Sequence, residues 1–547
     1  MNLRTRGALD RVFTVLAGLS VVLLTLVLIG VLGPMVYRGS GAVLFGGTVE
    51  FRKMQRDLFK RGGSEALDAE IAQTEEARRE VYSLIDTFRK GIDIEAISDA
   101  ARRINRDFGE ELRFKGVATE RYTELRQRSR DIRDQLEAAF ASQDINEIRT
   151  DLESVLQSAD DPAFKGTGAE GYFKLAKDFL NAAEQVDLSK HHEYKASLQE
   201  VEGILFGSTE RPGLLGPRPG GPLPPLAMLH YGATRWDQAR QLLHQFKYRQ
   251  FWVEAEPNAP LVRREEPRAA LFAGTSLEPL FGYIQANAEK MLHPRFTVYW
   301  QYFLDDNVDS HYFGGVGPEI IGTLLITVLG MAFVVPLGVI AAAYLVECTA
   351  DNWVMRIIRM SINTLAGVPS IVFGLFGLAF FILFLFPRLG FEPKPCILGA
   401  SMTLAVLTLP VMIRASEEAI RMVPQSFKEG SLALGASKFR TFVTVTFPAA
   451  LPGILTGMIL SLSRIAGETA PILFTGAVWI GPMAKSVFEP TRTLSRGSYG
   501  IAVEDRLAMM VPHNQYGMVV TLILLILVLN AMAIVLRSRV FKKLKGQ

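Results

Sequence analysis

Residues 412–452, MIRASEEAIRMVPQSFKEGSLALGASKFRTFVTVTFPAALP, separate two long apolar runs of the sequence. Arginine, lysine and glutamate side chains are spread through this stretch, from Arg414 to Arg440. Charged side chains are costly inside hydrocarbon, and backbone at that depth must satisfy its own hydrogen bonds. The stretch therefore predicts a polar, largely helical loop that joins two membrane helices.

The spacing of small residues in this loop resembles the EAA loop of ABC importer permeases, which reads Glu-Ala-Ala, three residues, Gly, nine residues, then Ile-x-Leu-Pro. Gly435 offers a backbone free of Cβ crowding at the turn. Pro448 is predicted to start the next helix, where its missing N–H costs little. The resemblance implies a coupling loop, residues 414–448, that docks on a separate ATPase subunit. Its matching residues are Glu429, Gly430, Ser431, Gly435, Ala436 and Pro448. The alternative is an ordinary charged cytoplasmic loop.

Composition divides the chain into apolar and charged parts. Of its 547 residues, 49% are hydrophobic and 21% are charged, and the net charge is only +3. Because basic residues are balanced locally by acidic ones, we expect no nucleic-acid partner. Two cysteines do not make a disulfide framework. We find no spacing that predicts a metal site and no nucleophile–base arrangement that predicts a catalytic residue.

The first apolar run, residues 12–37, follows three arginines and contains no charged residue. It is long enough to cross about 30 Å of hydrocarbon. A cleavable signal peptide is the alternative, but the run exceeds the usual apolar core of about 7–15 residues and no small-x-small site follows cleanly. Residues 1–37 are therefore predicted to form a cytoplasmic N-terminus and a retained first membrane helix.

Residues 38–315 form a charged block that we expect to be mostly helical. Apolar residues recur at helical spacing in its first part, which predicts a helical hairpin or small bundle. One such face holds Val81, Leu84, Ile85 and Phe88. Residues 211–225, RPGLLGPRPGGPLPP, cannot be helical and predict an extended linker. Aromatic residues beyond it, including Trp236, Trp252 and Phe281, predict a second, smaller packed unit.

Five further apolar runs predict membrane helices within residues 316–540, and residues 541–547 predict a short tail. The runs cover about 320–346, 360–386, 397–413, 449–474 and 516–536. Small residues recur in them, which suits close helix packing in lipid. The sequence thus predicts an all-α polytopic membrane protein with six membrane helices and an extracytoplasmic insertion between the first two.

Lysine and arginine predict the orientation of the six helices. They are more frequent before the first run, in the 414–448 loop and after the last run than in the short loops on the other side. The positive-inside rule therefore predicts that both termini and the 414–448 loop are cytoplasmic. The 38–315 block then lies outside, which is no contradiction because long domains cross the membrane regardless of their charge.

A charged pair lies inside the fifth apolar run, LPGILTGMILSLSRIAGETAPILFTGAV. Arg464 and Glu468 are four residues apart, so on one helix they share a face and can meet. Charges in the membrane interior are usually paired and functional. One hypothesis is an anion site, because a guanidinium binds a tetrahedral oxyanion through two parallel hydrogen bonds. The other is a structural ion pair that locks two helices together. The sequence favours neither.

Residues 310–540 resemble the permease subunits of phosphate-specific ABC importers, a family of type I importer fold. The resemblance lies in GVPSIVFGLFG from Gly367, in the 414–448 loop, and in the fifth run. In that family the Arg-x-x-Gly-Glu-Thr-Ala-Pro motif marks the phosphate path, which implies that Arg464, Glu468 and Thr469 line the path here. The sequence departs from the family in its greatly expanded outer block, residues 38–310, whose role is open between docking or selecting a binding protein and acting as a spacer.

The resemblance also implies the partners. Gly430 and Gly435 have the glycine spacing of a P-loop, but Ala436-Ser437 follows where Lys and Ser or Thr are needed. We therefore expect the chain to bind no cofactor, with ATP and Mg²⁺ held by a partner ATPase dimer. The other expected partners are a homologous permease subunit, a periplasmic phosphate-binding protein, inorganic phosphate and the lipid of the bacterial inner membrane. The alternatives are a permease for another oxyanion (sulfate, molybdate or phosphonate), a membrane-anchored scaffold or sensor, and a channel or secondary transporter.

Overall fold

The computed structural model describes residues 3–142, 144–184, 186–187, 190–254, 261–349, 352–504 and 510–544. The end of the predicted tail, residues 545–547, lies outside these ranges. The chain divides into two compact units. One is Phe45–Thr297, and the other combines Met1–Leu44 with Val298–Gln547. Helix α1, Leu3–Ser40, belongs to the second of these units.

The Phe45–Thr297 unit is mainly helical. Its helices are α2 (Val49–Phe59), α3 (Ser64–Ile92), α4 (Ile94–Phe114), α5 (Thr119–Ala141), α6 (Ile145–Gln157), α7 (Glu170–Ala183), α8 (His191–Phe206), α9 (Trp236–Lys247) and α10 (Glu278–Leu292). Strands β1 (Leu44–Gly47) and β4 (Arg295–Val298) pair with each other, and so do β2 (Tyr248–Glu254) and β3 (Leu261–Pro267). The last two form an antiparallel hairpin whose Trp252 is exposed.

This unit has two hydrophobic cores. Helices α4–α7 enclose the first, with Phe108, Phe140 and Phe179 fully buried. Helices α3, α8, α9 and α10 enclose the second, in which Phe88 of α3 and Phe281 of α10 belong to one cluster. The prediction of a separate smaller unit after residue 225 is therefore wrong. Aromatic residues that follow residue 225 pack in the same core as α3.

Residues 211–225 are not helical, but they are not an extended linker either. The side chains of Leu214 and Leu215 are buried in the second core. Their N–H groups donate to the carbonyl oxygens of Ile204 and Leu205 in the last turn of α8, each over 2.8 Å. The two leucines therefore pin this Pro- and Gly-rich segment to the helix end, where it satisfies carbonyls that the helix leaves open.

The second unit contains the membrane helices. Its elements after α1 are β5 (Asn307–Val308), β6 (Phe313–Gly314), α11 (Gly317–Ala343), α12 (Trp353–Leu365), α13 (Ser370–Gly377), α14 (Phe386–Arg388), α15 (Ile397–Arg421), α16 (Gln425–Ala433), α17 (Lys438–Thr441), α18 (Phe447–Gly467), α19 (Ala470–Thr475), α20 (Leu494–Val503) and α21 (Pro512–Leu544). Five-residue and longer π-helical turns follow α11, α13 and α17 without interrupting the helices.

Within the described residues, six helices are long and apolar enough to cross a membrane. They are Arg11–Ser40, Gly317–Cys348, Ser370–Arg388, Ile397–Arg421, Lys438–Gly467 and Pro512–Lys542, which we call spans 1 to 6. Their number confirms the predicted architecture, although the predicted boundaries of three spans are wrong. Residues 360–386 are two helices, because α12 ends before Gly367-Val368-Pro369 and span 3 starts at Ser370.

The other two corrections concern spans 4 and 5. Span 4 continues to Arg421, well past Ile413, and span 5 begins at Lys438. Pro448 therefore lies inside a continuous helix and does not start one. The π-helical turn Phe442–Thr446 directly precedes it, and such a widened turn absorbs a proline that cannot donate its N–H. Span 5 also stops at Gly467 instead of reaching residue 474.

Small residues set the packing of spans 4 and 5. A Cβ at Gly457 would lie 2.6 Å from the Ala415 Cβ, and one at Gly453 would lie 2.5 Å from the Ala419 Cβ. Side chains larger than hydrogen do not fit at such distances, so the two backbones approach closely. The two pairs show that the helices run antiparallel, and together they fix the relative depth of every residue on them.

Candidate functional site

The predicted anion-site residues lie where span 5 breaks. Helix α18 carries Arg464 and ends at Gly467, and Glu468 follows in an extended conformation with φ −76° and ψ 133°. Thr469 then precedes the short helix α19. The expectation that Arg464 and Glu468 share one helix face is therefore wrong. They meet across the helix end, with Arg464 Nε 3.5 Å from Glu468 Oε1.

Hydrogen bonds to two carbonyl oxygens hold the backbone at this helix break. Ser495 Oγ donates to the Glu468 carbonyl oxygen over 3.3 Å, and the Leu473 N–H donates to the Thr469 carbonyl oxygen over 3.2 Å. The side chains of Arg464 and Glu468 are 33% and 23% exposed. Within the described part of the chain, the two terminal nitrogens of Arg464 make no hydrogen bond. This guanidinium therefore keeps the two parallel donors that an oxyanion needs.

The depth of Arg464 follows from the packing of spans 4 and 5. Ser461 Oγ lies 4.0 Å from Met412 Sδ, so Arg464, three residues further along, is level with about Thr408. Span 4 begins at Ile397, and a rise of 1.5 Å per residue puts Thr408 about 17 Å along it. That is roughly the middle of a 30 Å hydrocarbon layer. Arg464 is therefore a mid-membrane charge.

The predicted coupling loop folds around α16, which lies between spans 4 and 5. The Leu434 N–H donates to the Gly430 carbonyl oxygen and the Ala436 N–H to that of Ser431, each over 3.2 Å. Gly435 ends this turn with φ +84°, a left-handed conformation that favours glycine. Ser431 Oγ also lies 3.0 Å from Thr441 Oγ1 of α17. These bonds close the loop into a compact turn.

One face of the coupling loop is open and partly apolar. Phe427, Leu434 and Phe439 are 58%, 91% and 77% exposed, and Glu429 is exposed beside them. On the other side, Lys428 is buried and its Nζ donates to Glu347 Oε1 at the end of span 2 over 2.6 Å. The loop therefore has a fixed attachment to the membrane helices and a free apolar surface.

Sequence reasoning missed a buried charged cluster at the other end of span 2. Glu319 is fully buried, and its Oε1 lies 3.0 Å from His311 Nε2 and 3.5 Å from Arg492 Nε. Arg492 Nη2 lies 2.7 Å from Asp306 Oδ1. The His311 ring packs 4.5 Å from that of Trp479. An acidic residue at the start of a membrane helix was the only available signal, since Arg492 lies far away in the sequence.

Comparison with known proteins places the chain. Residues 334–546 match the family model described as "Binding-protein-dependent transport system inner membrane component". The probable ABC transporter permease protein YqgI of Bacillus subtilis (strain 168) is 32% identical over 292 residues, which are 50% of this chain and 93% of that relative. The chain belongs to the binding-protein-dependent ABC permease family. This membership and the six helices confirm the predicted ABC importer type I permease fold.

Two further similarities cover a smaller part of this chain. The phosphate transport system permease protein PstA 1 of Mycobacterium tuberculosis (strain CDC 1551 / Oshkosh) is 38% identical over 175 residues, which are 32% of this chain. The chain spans about half of that relative's length, 55%. A solved structure of the MetNI methionine ABC transporter in inward-facing conformation covers 41% of this chain and 94% of its own, with 20% identity and a TM-score of 0.31.

Family membership bears on the predicted membrane location, on the predicted lack of ATPase activity and on the predicted partners. This ABC permease is a multi-pass inner-membrane component of a binding-protein-dependent importer and not its ATPase, since members of the family leave ATP hydrolysis to a separate subunit. It implies an ATPase partner and a binding-protein partner. Because the family consists of importer permeases, the alternatives of a membrane-anchored scaffold, a channel and a secondary transporter are set aside. Among the described residues, no group of three or more His, Cys, Asp or Glu side chains is arranged to hold a metal ion.

Proposed function

We propose that this ABC permease moves inorganic phosphate across the cytoplasmic membrane by alternating access. The observation that carries the proposal is the mid-membrane guanidinium of Arg464, whose terminal nitrogens make no hydrogen bond within the described chain. A guanidinium binds a tetrahedral oxyanion through paired hydrogen bonds. The similarity to a phosphate transport system permease, 38% identity over 175 residues, supports phosphate as that oxyanion.

In this proposal the three path residues have different tasks. Arg464 binds two phosphate oxygens through its terminal nitrogens. Glu468, 3.5 Å from Arg464 Nε, neutralises the guanidinium while the site is empty. Its carboxylate accepts a hydrogen bond from a protonated phosphate oxygen and repels an anion that carries no proton. Thr469 places a hydroxyl beside them at the point where the helix breaks and where backbone groups are free to meet a ligand.

The proposed partners follow from the surfaces of the molecule. The exposed apolar face of the coupling loop, with Phe427, Leu434 and Phe439, suits docking to an ATPase dimer. When ATP closes that dimer, the coupling loop moves with it and the path past Arg464 opens outward. A homologous permease subunit completes the path, and an external phosphate-binding protein delivers the anion. Both termini and the coupling loop are cytoplasmic, in keeping with the distribution of Lys and Arg.

Uptake of radiolabelled phosphate at low external concentration tests this proposal. Cells with and without the chain are compared in the presence of excess sulfate, and the protein level in the membrane is measured in parallel. We expect the chain to supply uptake that needs ATP and resists sulfate. Uptake that excess sulfate abolishes would assign the permease to sulfate instead, and the same assay with excess molybdate or a phosphonate tests those two anions. Phosphate uptake that is the same without the chain would refute phosphate transport.

A further inference from the structure

A second cluster of arginines lies nearer α16 than Arg464 does. Helix α12 and the end of span 4 line an open cavity of about 230 Å³. Its charged lining is Arg359, Arg414, Glu417, Glu418 and Arg421. None of these residues belongs to the path or to the docking face described above.

The charge of this cavity is positive on balance. Glu417 is shared by two guanidinium groups, since its Oε1 lies 3.2 Å from Arg359 Nε and 2.8 Å from Arg421 Nη2. Within the described chain, the exposed side chains of Arg414 and Glu418 make no ion pair. Three arginines therefore face two glutamates, and one guanidinium, that of Arg414, keeps all its donors. Such a setting favours a bound anion over a cation.

Helix α12 explains why the three arginines face one another. Arg356, Arg359 and Asn363 recur at spacings of three and four residues and form a polar stripe on a mainly apolar helix. Four residues at each end join α12 to spans 2 and 3. Arg359 also donates through Nη2 to the Leu345 carbonyl oxygen over 3.0 Å. The polar stripe is thereby turned toward span 4, with Arg359 and Asn363 in the cavity wall.

Measured along span 4, the cavity lies nearer α16 than Arg464 does. Arg464 is level with about Thr408 of span 4, so Arg414 lies six residues, or about 9 Å, further toward α16. Arg421 lies about 10 Å beyond Arg414. Counted from Ile397, Arg414 is about 26 Å along span 4, near the edge of the hydrocarbon layer. The cavity therefore begins at about the depth at which the hydrocarbon layer ends, on the face of span 4 that is turned toward α12.

We infer that this cavity is a second oxyanion site, in which Arg414 binds a phosphate group with Arg421 and Arg359 behind it. The inference rests on the proposed transport of phosphate. Free phosphate on its way to the cytoplasm and the headgroup of an anionic lipid share the required chemistry. Glu418 limits the affinity, which suits a site that releases its ligand quickly.

Equilibrium binding to the assembled transporter with its full-length chains tests the inference. Radiolabelled inorganic phosphate is titrated against wild type, Arg414→Gln and Arg421→Gln in nanodiscs of phosphatidylcholine alone. A second set of discs contains phosphatidylglycerol, and the retained lipid is counted by native mass spectrometry. Arg440→Gln is the matched control, because Arg440 is exposed at the same end but does not line the cavity.

We expect Arg414→Gln to remove one class of phosphate sites, or to weaken it at least tenfold, while Arg440→Gln leaves it unchanged. Loss of retained phosphatidylglycerol in Arg414→Gln, without loss of phosphate, would equally support an oxyanion site and identify the lipid as its ligand. If neither quantity changes in either cavity variant, the inference is wrong. Phosphate uptake that still requires Arg464 would in that case leave the proposed function intact.

Discussion

Lys428 Nζ lies 2.6 Å from Glu347 Oε1, and this ion pair joins the coupling loop to the end of span 2. Both side chains are mostly buried, at 10% and 25% exposure. Motion of the loop therefore reaches span 2 directly and does not depend on spans 4 and 5 alone. The pair is 81 residues apart in sequence, so only the folded chain reveals it.

Removing this charge should weaken coupling more than folding. We expect Lys428→Met to cost about 1–3 kcal/mol locally, because a partly buried carboxylate loses its partner. The loop then moves without pulling span 2, so fewer molecules of substrate are transported per ATP hydrolysed in proteoliposomes. The swapped double variant Lys428→Glu with Glu347→Lys should recover part of that ratio. An unchanged ratio in the single variant would show that the pair plays no part in coupling.

Two glycines of the coupling loop make a matched test of backbone conformation. A Cβ at Gly430 or at Gly435 would meet nothing within 4 Å, but only Gly435 has a positive φ, +84°. Gly435→Val should therefore strain the turn by at least about 1–2 kcal/mol and reduce co-purification of the ATPase. Gly430→Ala, inside α16, should preserve co-purification and stabilise the helix by up to about 1 kcal/mol. Equal effects of the two variants would contradict this account.

The Phe45–Thr297 unit should lose stability in acid through Glu50. Burial raises the pKa of this carboxyl, but Arg78, Lys53 and the Gly232 N–H lower it by more, so its pKa lies below the ordinary 4.5. A group with a lowered pKa stabilises the fold above its ordinary pKa and loses that contribution as pH falls through the folded value. We therefore expect the melting temperature of this unit, measured by calorimetry on the full chain, to fall below about pH 4.5.

Substitution distinguishes the contribution of Glu50 to stability from that of a neighbouring carboxylate. Arg78 Nη2 lies 2.9 Å from Glu50 Oε1, and the two side chains are 2% and 1% exposed. Glu50→Gln leaves a buried guanidinium without its carboxylate, so we expect a loss of about 3–5 kcal/mol at about pH 7 and a weaker dependence on acid. Glu75→Gln is the control, since Glu75 also approaches Arg78 but is 35% exposed. A larger loss in the control would mean that Glu50 is not the residue responsible.

The Glu319–Arg492 contact should be a strong determinant of stability in the membrane unit. The two side chains are 0% and 3% exposed, and Arg492→Ala leaves Glu319 with only His311 and the Asn307 amide, which donates to its Oε1 over 2.9 Å. We expect a loss of about 3–5 kcal/mol, seen as a lower unfolding temperature of the full chain in detergent. Arg388→Ala, an exposed arginine in the same unit, should change that temperature little. Similar shifts in the two variants would rule out a special role for the buried cluster.

Hydropathy predicted the membrane spans, because every membrane helix needs about 20 apolar residues whatever its neighbours are. It did not predict where helices break. Residues 360–386 are apolar apart from a few serine, threonine and asparagine side chains. The break before Ser370 therefore depends on Gly367 and Pro369, which hydropathy does not register. At Pro448 the error is the reverse, since the π-helical turn Phe442–Thr446 keeps the helix intact.

Sequence reasoning could not predict contacts between residues that are far apart in the chain. The Arg464–Glu468 pair was found because its members are four residues apart, although the helix break between them was not. Glu347 and Lys428, or Glu319 and Arg492, are brought together only by folding, and nothing in the sequence marks any of the four as a member of a pair. The buried leucines of segment 211–225 were missed for the same reason, since proline and glycine spacing says nothing about the core beneath.

Phosphate uptake by Arg464→Lys tests the central claim most directly. Lysine keeps the positive charge but loses the planar fork that binds two oxygens at once. The measurement is sulfate-insensitive, ATP-dependent uptake of radiolabelled phosphate, normalised to the amount of the chain in the membrane. The account predicts that uptake is abolished while the protein level is unchanged. Unchanged uptake by the Arg464→Lys variant would contradict the anion-site role of Arg464.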